Sequence, residues 1–536
     1  MSGTSMTPLL RFLPAEYDDG LSSPKQAGLP NPREISKYLR ETEHEQTSDE
    51  DSTIMLMQWG QFTDHDLSLT LPAPRKFVRN TDPILACEDT CEHIEPCFGL
   101  KDDANKTRFY NNHDRLARPR ADCMEVVRSA EVCGTGRSSI LFEKKLVQRE
   151  QINELSAFID AGNLYGADAA RGKYIREHNR RQDRQGKLRT GDNGFALDSK
   201  MNYTNANMTK VLLSFDVSFR TAMGGALSVL PMDCRRDTFY EEKHVQDTGC
   251  FLAGDRRANI HLGLTILHTI YTRLHNDFVD RIQKIKPNMN GNVLYQEVRR
   301  IVTFHMQMVT YNRWLPIVLG QEYPKYQGYD ESIHVGVFNE FATAAFRFGH
   351  TLIPHSFPRK GVNYTSLDPW PLHKLLFSPY RLITAGGVDP ILRGIISSPT
   401  RDNKNGKIST ELTENFFKIN GDVPIDLAAL NIQRGRDHGI GGYGKYLKFC
   451  GLESTLPDDI LELYDGDVNK VDLWVGVISE PNVEGGKIGP LGKSGILRLR
   501  NRNIVKTIFR PKCCRIHEIN IAKSIFRSKV NEKHDF

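Results

Sequence analysis

Apolar residues recur every three or four positions along 262–285, where Leu264, Leu267, Tyr271, Leu274, Phe278 and Ile282 fall on one helical face. That spacing predicts an amphipathic helix. A second helix is predicted through Leu294, Val298, Ile301, Met308 and Tyr311. From 338 to 353 the chain is apolar almost all round, which predicts a third, buried helix with Pro354 at its end. Residues 54–70 set an apolar face of Met57, Phe62, Leu67 and Leu69 beside Gln61, Asp64, His65 and Asp66. Residues 151–178 read as helical around a small loop, and 80–138 as a cysteine-rich loop region. Residues 1–52, rich in Pro, Gly, Ser and acids, read as an extended N-terminal arm. Alternating strand patterns are scarce, and no repeat or glycine-rich linker divides the body. The expected fold class is therefore mainly α, a single large helical domain over 53–490 with extended loops and little β structure.

Length supports this reading: a chain of 536 residues can bury about three quarters of its unfolded surface. Its 39% hydrophobic and 26% charged residues exclude a disordered or collagen-like chain. No apolar run approaches ~18 residues, so no transmembrane helix is expected. The net charge of +5 is uneven, because 493–536 holds 12 Lys/Arg against 3 Asp/Glu and the remainder 59 against 63. A mildly acidic body with a divergent basic tail over 491–536 gives no footprint for nucleic acid.

Five of the ten cysteines, Cys87, Cys91, Cys97, Cys123 and Cys133, crowd into 87–133 among turn formers and charges. Zinc is the alternative to disulfides, but CEDTCEHIEPC lacks a CxxC knuckle. Asn105, Asn202, Asn207 and Asn363 begin N-x-S/T sequons. Disulfides and sequons together imply an oxidising, extracellular setting. MSGTSMTPLLRFLPAEYDDG has no apolar secretory segment, so the natural precursor is expected to start elsewhere.

Helical spacing puts Gln61 and His65 on one face, four residues apart. A neutral imidazole accepts a proton near neutral pH, and a carboxamide beside it orients water or an anion. The same pattern also suits an amphipathic helix with solvated polar residues. His350 lies among Phe341, Phe346, Phe348, Leu352 and Ile353. A histidine there is usually a satisfied core residue. Those surroundings also suit a haem iron ligand, with apolar walls for the macrocycle and Arg347 for a propionate. CFLAGDRRANIH carries Arg256 and Arg257 after a Gly254-Asp255 turn, and LNIQRGRDHG carries Asn431, Arg434, Arg436, Asp437 and His438. Each alone also reads as a surface salt-bridge cluster.

Together these segments resemble the animal haem peroxidase family, the peroxidase–cyclooxygenase superfamily, and within it the secreted peroxinectin and chorion-type branch. The likeness runs from about residue 7 to about 490 through TPLLRFLPAEYDDGLSSP, MQWGQFTDHDL, CFLAGDRR, LHTIYTRLHND, FRFGHTL, DPILRGI and LNIQRGRDHG. It implies a haem b enzyme that reduces hydrogen peroxide and oxidises phenolic, protein-tyrosine or halide donors through a high-valent haem iron. By resemblance, His65 is the distal acid–base, Arg257 stabilises charge as the O–O bond breaks, and Gln61 holds water or a halide. His350 is the axial iron ligand, and its other ring nitrogen donates to Asn431. Arg347 and Arg434 match propionate contacts, and Asp64 matches a carboxylate that can form an ester to haem. Asp66, Ser156, Phe158 (through its carbonyl), Asp160 and Gly162 match a calcium site, although the family usually has Ser where this chain has Gly162.

The resemblance also implies disulfides Cys87–Cys97, Cys91–Cys123 and Cys234–Cys250, and a disulfide-linked dimer through Cys133. Ile260 replaces the Glu that makes the family's second haem ester. The tail 491–536 resembles no part of the family. Two other readings stand beside the enzyme. One is a non-enzymatic adhesion or matrix protein on the same fold, weakened because Thr190-Gly191-Asp192 is the nearest approach to an RGD or KGD motif. The other is a truncated, inactive fragment.

Overall fold

The structure is a computed structural model. It describes residues 3–498 apart from 74–86, 88–92, 94, 102–122, 144, 177–185, 189–250, 321–333, 380, 383–386, 405 and 418–423. Among the described residues helices dominate, and the strands form five separate two-stranded pairs. Most of the buried apolar side chains belong to one contiguous cluster, so the mainly α expectation holds.

The predicted first helix spans Leu262–Ile285. Leu264, Leu267, Tyr271, Phe278 and Ile282 are buried in the core, and Leu274 is partly buried against it. His261 caps it, its Nδ1 accepting from Gly263 N at 3.1 Å. The second helix, Gly291–Val309, packs on the first and continues through a π-helical turn, Thr310–Trp314. That turn anchors the helix Ile54–Leu67. Trp59 Nε1 donates to Thr310 Oγ1 (3.1 Å), and Trp314 Nε1 donates to Leu56 O (2.8 Å).

The third predicted helix is broken. Asn339–Thr343 is α-helical, Ala344 leaves the helix at φ −131° and ψ −71°, and Ala345–Leu352 winds as a tighter 3₁₀ segment. Side chains take carbonyls that a continuing helix would use: Thr343 Oγ1 donates to Asn339 O (2.7 Å) and Arg347 Nε to Ala342 O (2.9 Å). Hydropathy cannot report such a break, because both halves are buried.

Two further expectations need correction. Residues 1–52 are not simply extended. Pro32–Leu39 is a helix capped by Asn31 that buries Ile35 and Leu39. Among the described residues of 151–178, most are loop, and the helical ones are Gly162–Tyr165 and Ala169–Tyr174. Buried carboxylate contacts, rather than helix periodicity, hold that loop.

Candidate active site

The helix Ile54–Leu67 supplies one wall. Gln58 Nε2 donates to Gln61 Oε1 at 2.9 Å, which fixes the Gln61 amide. His65 is buried, and among the described residues its Nδ1 has no hydrogen-bond partner. Burial first, then the Arg257 charge, holds its pKa well below the ordinary value, so the imidazole is neutral. Arg257 lies in the 3₁₀ segment Arg256–Asn259, which Asp255 caps. Its Nη2 and Nε donate to Asp255 (2.6 and 3.0 Å), its Nη1 to Ser68 O (3.0 Å) and its Nη2 to His65 O (3.3 Å). Those bonds use four of the five guanidinium N–H groups and fix the arginine against the backbone of His65. Asp255, paired with that guanidinium, is held below the usual carboxylate range despite its burial.

The segments 345–352 and 427–437 supply the opposite wall. Asn431, in the helix Leu427–Asp437, places its Nδ2 2.8 Å from His350 Nδ1. Its Oδ1 accepts from Arg347 Nη1 at 2.7 Å. The Asn431–His350 contact expected from sequence is therefore present, but it runs in the other direction. With Oδ1 occupied by Arg347, the amide donates to the ring. A donor from His350 to Asn431 requires the Asn431 amide to turn over and Arg347 to find another acceptor. Burial and then Arg347 lower the His350 pKa to about 3, which leaves a neutral ring able to ligate a metal.

The residues of these walls, with open space beside Gly349 and Gly435, have the chemistry to hold haem. Gln61, Asp64, Ile260, Arg347, His350 and Arg434 lie inside the fold yet keep accessible surface. A Cβ added at Gly349 or at Gly435 would meet nothing within 4 Å. Asp64 feels the charges of Arg257 and Arg347 together, so it lies between the walls; burial raises it to about 6. Among the described residues Arg347 has no carboxylate at hydrogen-bond distance, and burial followed by the nearby Arg434 charge lowers it to about 10. Two cations brought together inside a protein make a seat for anionic groups such as propionates. Arg434 is steadied by Nη1 bonds to Val127 O, Ser129 Oγ and Asp437 Oδ2, each 3.0 Å.

A second like-charge pair has the opposite sign. Asp66 accepts from Ala161 N (3.0 Å) and Asn163 N (3.1 Å), while Asp160 accepts from Ser156 Oγ (3.0 Å) and Gly162 N (2.9 Å). Ser156 Oγ also lies 3.4 Å from Phe158 O. Burial, and then the neighbouring Asp160 charge, pushes Asp66 well up; burial likewise raises Asp160. A buried and a partly buried carboxyl, with a hydroxyl and a carbonyl oxygen nearby, suit a hard cation such as calcium. Gly162 turns its N–H toward Asp160, and its carbonyl accepts from Gly166 N at 2.7 Å. Among the described residues no three His, Cys, Asp or Glu side chains gather as a metal site.

Sequence reasoning left three neighbours without a role. Asp255 clamps Arg257. Asn163 joins three parts: its N–H reaches Asp66, its Nδ2 donates to Phe62 O (2.8 Å), and its carbonyl accepts from Asp255 N (2.7 Å). Gly254 permits that approach, since a Cβ there would lie 2.3 Å from Gly166 N and 2.5 Å from Gly162 O. An acid immediately before two arginines was the available signal for Asp255. Asn163 and Gly254 gave none.

Cys87 and Cys97 form a disulfide. Cys91, Cys234 and Cys250 lie outside the described residues, so the other two expected pairs fall there. Cys133 is an exposed thiol. Among the described residues no helix is long and apolar enough to cross a membrane.

Comparison with known proteins agrees with this geometry. The family described as animal haem peroxidase matches residues 1–499. Peroxidasin homolog pxn-1 of Caenorhabditis elegans is 37% identical over 528 residues, covering 91% of this chain and 38% of that protein. Human eosinophil peroxidase is 33% identical over 525 residues, covering 91% of this chain and 66% of that one. The chain thus spans little more than a third of the peroxidasin homolog. Among solved structures, peroxidase A from Dictyostelium discoideum superposes with a TM-score of 0.70 at 24% identity, covering 97% of this chain and 91% of that one, a likeness of fold. With the family match extending over nearly the whole sequence, this chain belongs to the animal haem peroxidases.

Proposed function

We propose that the chain reduces hydrogen peroxide at haem b and oxidises phenolic, protein-tyrosine or halide donors. The observation that carries this reading is a neutral His65, packed beside the Asp255-clamped Arg257, across one internal space from the His350–Asn431–Arg347 cluster. Haem bound there supplies the two-electron chemistry of peroxide reduction. His350 would ligate its iron, and Arg347 and Arg434 would hold its propionates. Were Arg347 to turn to a propionate, the Asn431 amide could turn over so that its Oδ1 accepts the His350 Nδ1–H hydrogen bond, which would fix the tautomer whose Nε2 can ligate. His65 takes a proton from incoming peroxide and returns it to the departing oxygen, help worth ~10²–10⁴ in rate. Arg257 lends its remaining N–H and its charge to the oxygen that becomes negative. Gln61 orients water or a halide beside His65.

Asp64 is proposed to form an ester to a haem methyl, and Ile260 has no oxygen for a second. Haem that resists acid–organic extraction after peroxide treatment supports the ester, and unchanged resistance in Asp64→Asn contradicts it. Calcium is proposed at Asp66, Asp160, Ser156 and the Phe158 carbonyl, with Gly162 contributing no side-chain ligand. The Cys87–Cys97 disulfide supports an extracellular setting. A dimer through Cys133 would show as a doubled mass lost on reduction, and an unchanged mass contradicts it.

The discriminating experiment pairs two variants. His65→Ala should keep its haem and lose at least ~10²-fold in turnover. His350→Ala should lose or mis-ligate haem. Equal haem loss in both, or a fully active His65→Ala, contradicts the assignment.

A further inference from the structure

We infer that Tyr271, with His305, is a redox relay that carries oxidising equivalents from the haem space, through the 54–67 helix, to the outer face of the 291–309 helix. The inference rests on the proposed peroxidase reading.

Tyr271 is 4% exposed, and its ring lies 5.3 Å from Phe62 and 5.9 Å from Trp59, centroid to centroid. Phe62 and Trp59 are 5.8 Å apart. Both sit on the helix that presents Gln61 and His65 to the haem space. Ring contacts are therefore continuous from the helix that carries His65 to Tyr271. On its far side the Tyr271 hydroxyl lies 3.1 Å from His305 Nδ1, and the two rings are 5.8 Å apart. His305 is only half-buried, and its neighbours Phe304 and Met308 are 55% and 37% exposed.

A buried phenol loses an electron readily only if its proton leaves with it, because the phenol radical cation is a strong acid. His305 gives that proton a destination. Burial keeps the phenol protonated and the imidazole neutral, so one is a donor and the other an acceptor. The step balances. Tyr271 gives one electron to the peroxide-oxidised haem while its O–H proton moves to His305 Nδ1. A donor at the outer face then returns one electron to Tyr271, the proton returns, and the donor is left oxidised by one electron. A donor too large for the internal space, such as a tyrosine on another protein, can be oxidised this way.

A tyrosine–histidine bond is by itself ordinary core chemistry, and the molecule contains a contrasting case. Tyr165 lies 2.9 Å from His275 Nδ1, but His275 is wholly buried and its Nε2 is already bound to Gly186 O at 2.8 Å. The Tyr165 ring contacts His275 and Tyr295, away from Phe62 and Trp59, and wholly buried His275 offers no outer face to a donor. Tyr165 serves as the control.

The test loads the full chain with haem, adds stoichiometric hydrogen peroxide, and freezes the sample for electron paramagnetic resonance. A parallel sample is spin-trapped and peptide-mapped. A tyrosyl radical is expected, with the trap on the Tyr271 peptide. Tyr271→Phe should lose most of that signal, His305→Phe should lower it, and Tyr165→Phe should leave it intact. A haem spectrum that changes with peroxide while Tyr271→Phe keeps the wild-type radical overturns the relay alone. A haem spectrum that does not respond to peroxide overturns the peroxidase reading and the relay with it.

Discussion

Arg257 shows how closely a single charge is governed by its neighbour. Taken alone it is a cation beside a histidine; with Asp255 bound to it, the pair is neutral overall and its direction is fixed. Removing one member of a buried ion pair leaves the other uncompensated, which costs about 3–5 kcal/mol. Asp255→Asn should therefore lower stability by about that amount and slow the reaction with peroxide by ~10–10²-fold as Arg257 loses its aim, with haem content unchanged in the folded fraction. Rapid-mixing absorption with peroxide measures the rate. A wild-type rate in Asp255→Asn would show that the clamp has no part in positioning Arg257.

At the scale of elements, the site depends on close backbone approach. Gly254→Ala drives a Cβ into the backbone of Gly166, Gly162 and Asn163, so the loop with the carboxylate pair and the arginine segment must separate. A loss of about 1–3 kcal/mol is expected, read as a lower denaturant midpoint at unchanged slope. Gly349→Ala makes the opposite case. Its Cβ meets nothing in the protein, so haem-free stability should stay near wild type while haem uptake falls. Equal uptake in Gly349→Ala would mean that the open space there is not filled by haem.

The sequence made the long elements legible. The helix 262–285 follows directly from its apolar spacing, and MQWGQFTDHDL, CFLAGDRR and LNIQRGRDHG marked the residues that the fold gathers around one space. The break at Ala344 was not legible, because hydropathy does not distinguish one buried helix from two short segments. The helix Pro32–Leu39 was hidden in a stretch whose composition suggested an extended arm, although Asn31-Pro32 is a start signal. The direction of the Asn431–His350 contact depends on Arg347, which competes for the same oxygen from a different element.

Across the whole molecule, one continuous core ties the final described helix, Pro490–Arg498, to the body. Glu480 holds the joint: Tyr443 Oη donates to its Oε1 (2.7 Å) and Leu491 N to its Oε2 (2.9 Å). Burial raises its pKa from 4.5 to about 7. The native state therefore binds more protons than the unfolded chain between those values, and stability falls as pH rises through that window. The shift corresponds to about 3 kcal/mol. Thermal midpoints of wild type and Glu480→Gln, compared from pH 5 to 8, should move in favour of the variant as pH rises. A difference independent of pH would rule out this origin.

The central claim, that the His65 and His350 walls hold a working haem, is tested most directly by one absorption spectrum of the haem-loaded chain before and after stoichiometric hydrogen peroxide. A Soret band is expected that shifts on peroxide addition and returns when a phenolic donor is supplied. A chain that takes up no haem, or a Soret band that peroxide leaves unmoved, would contradict the account.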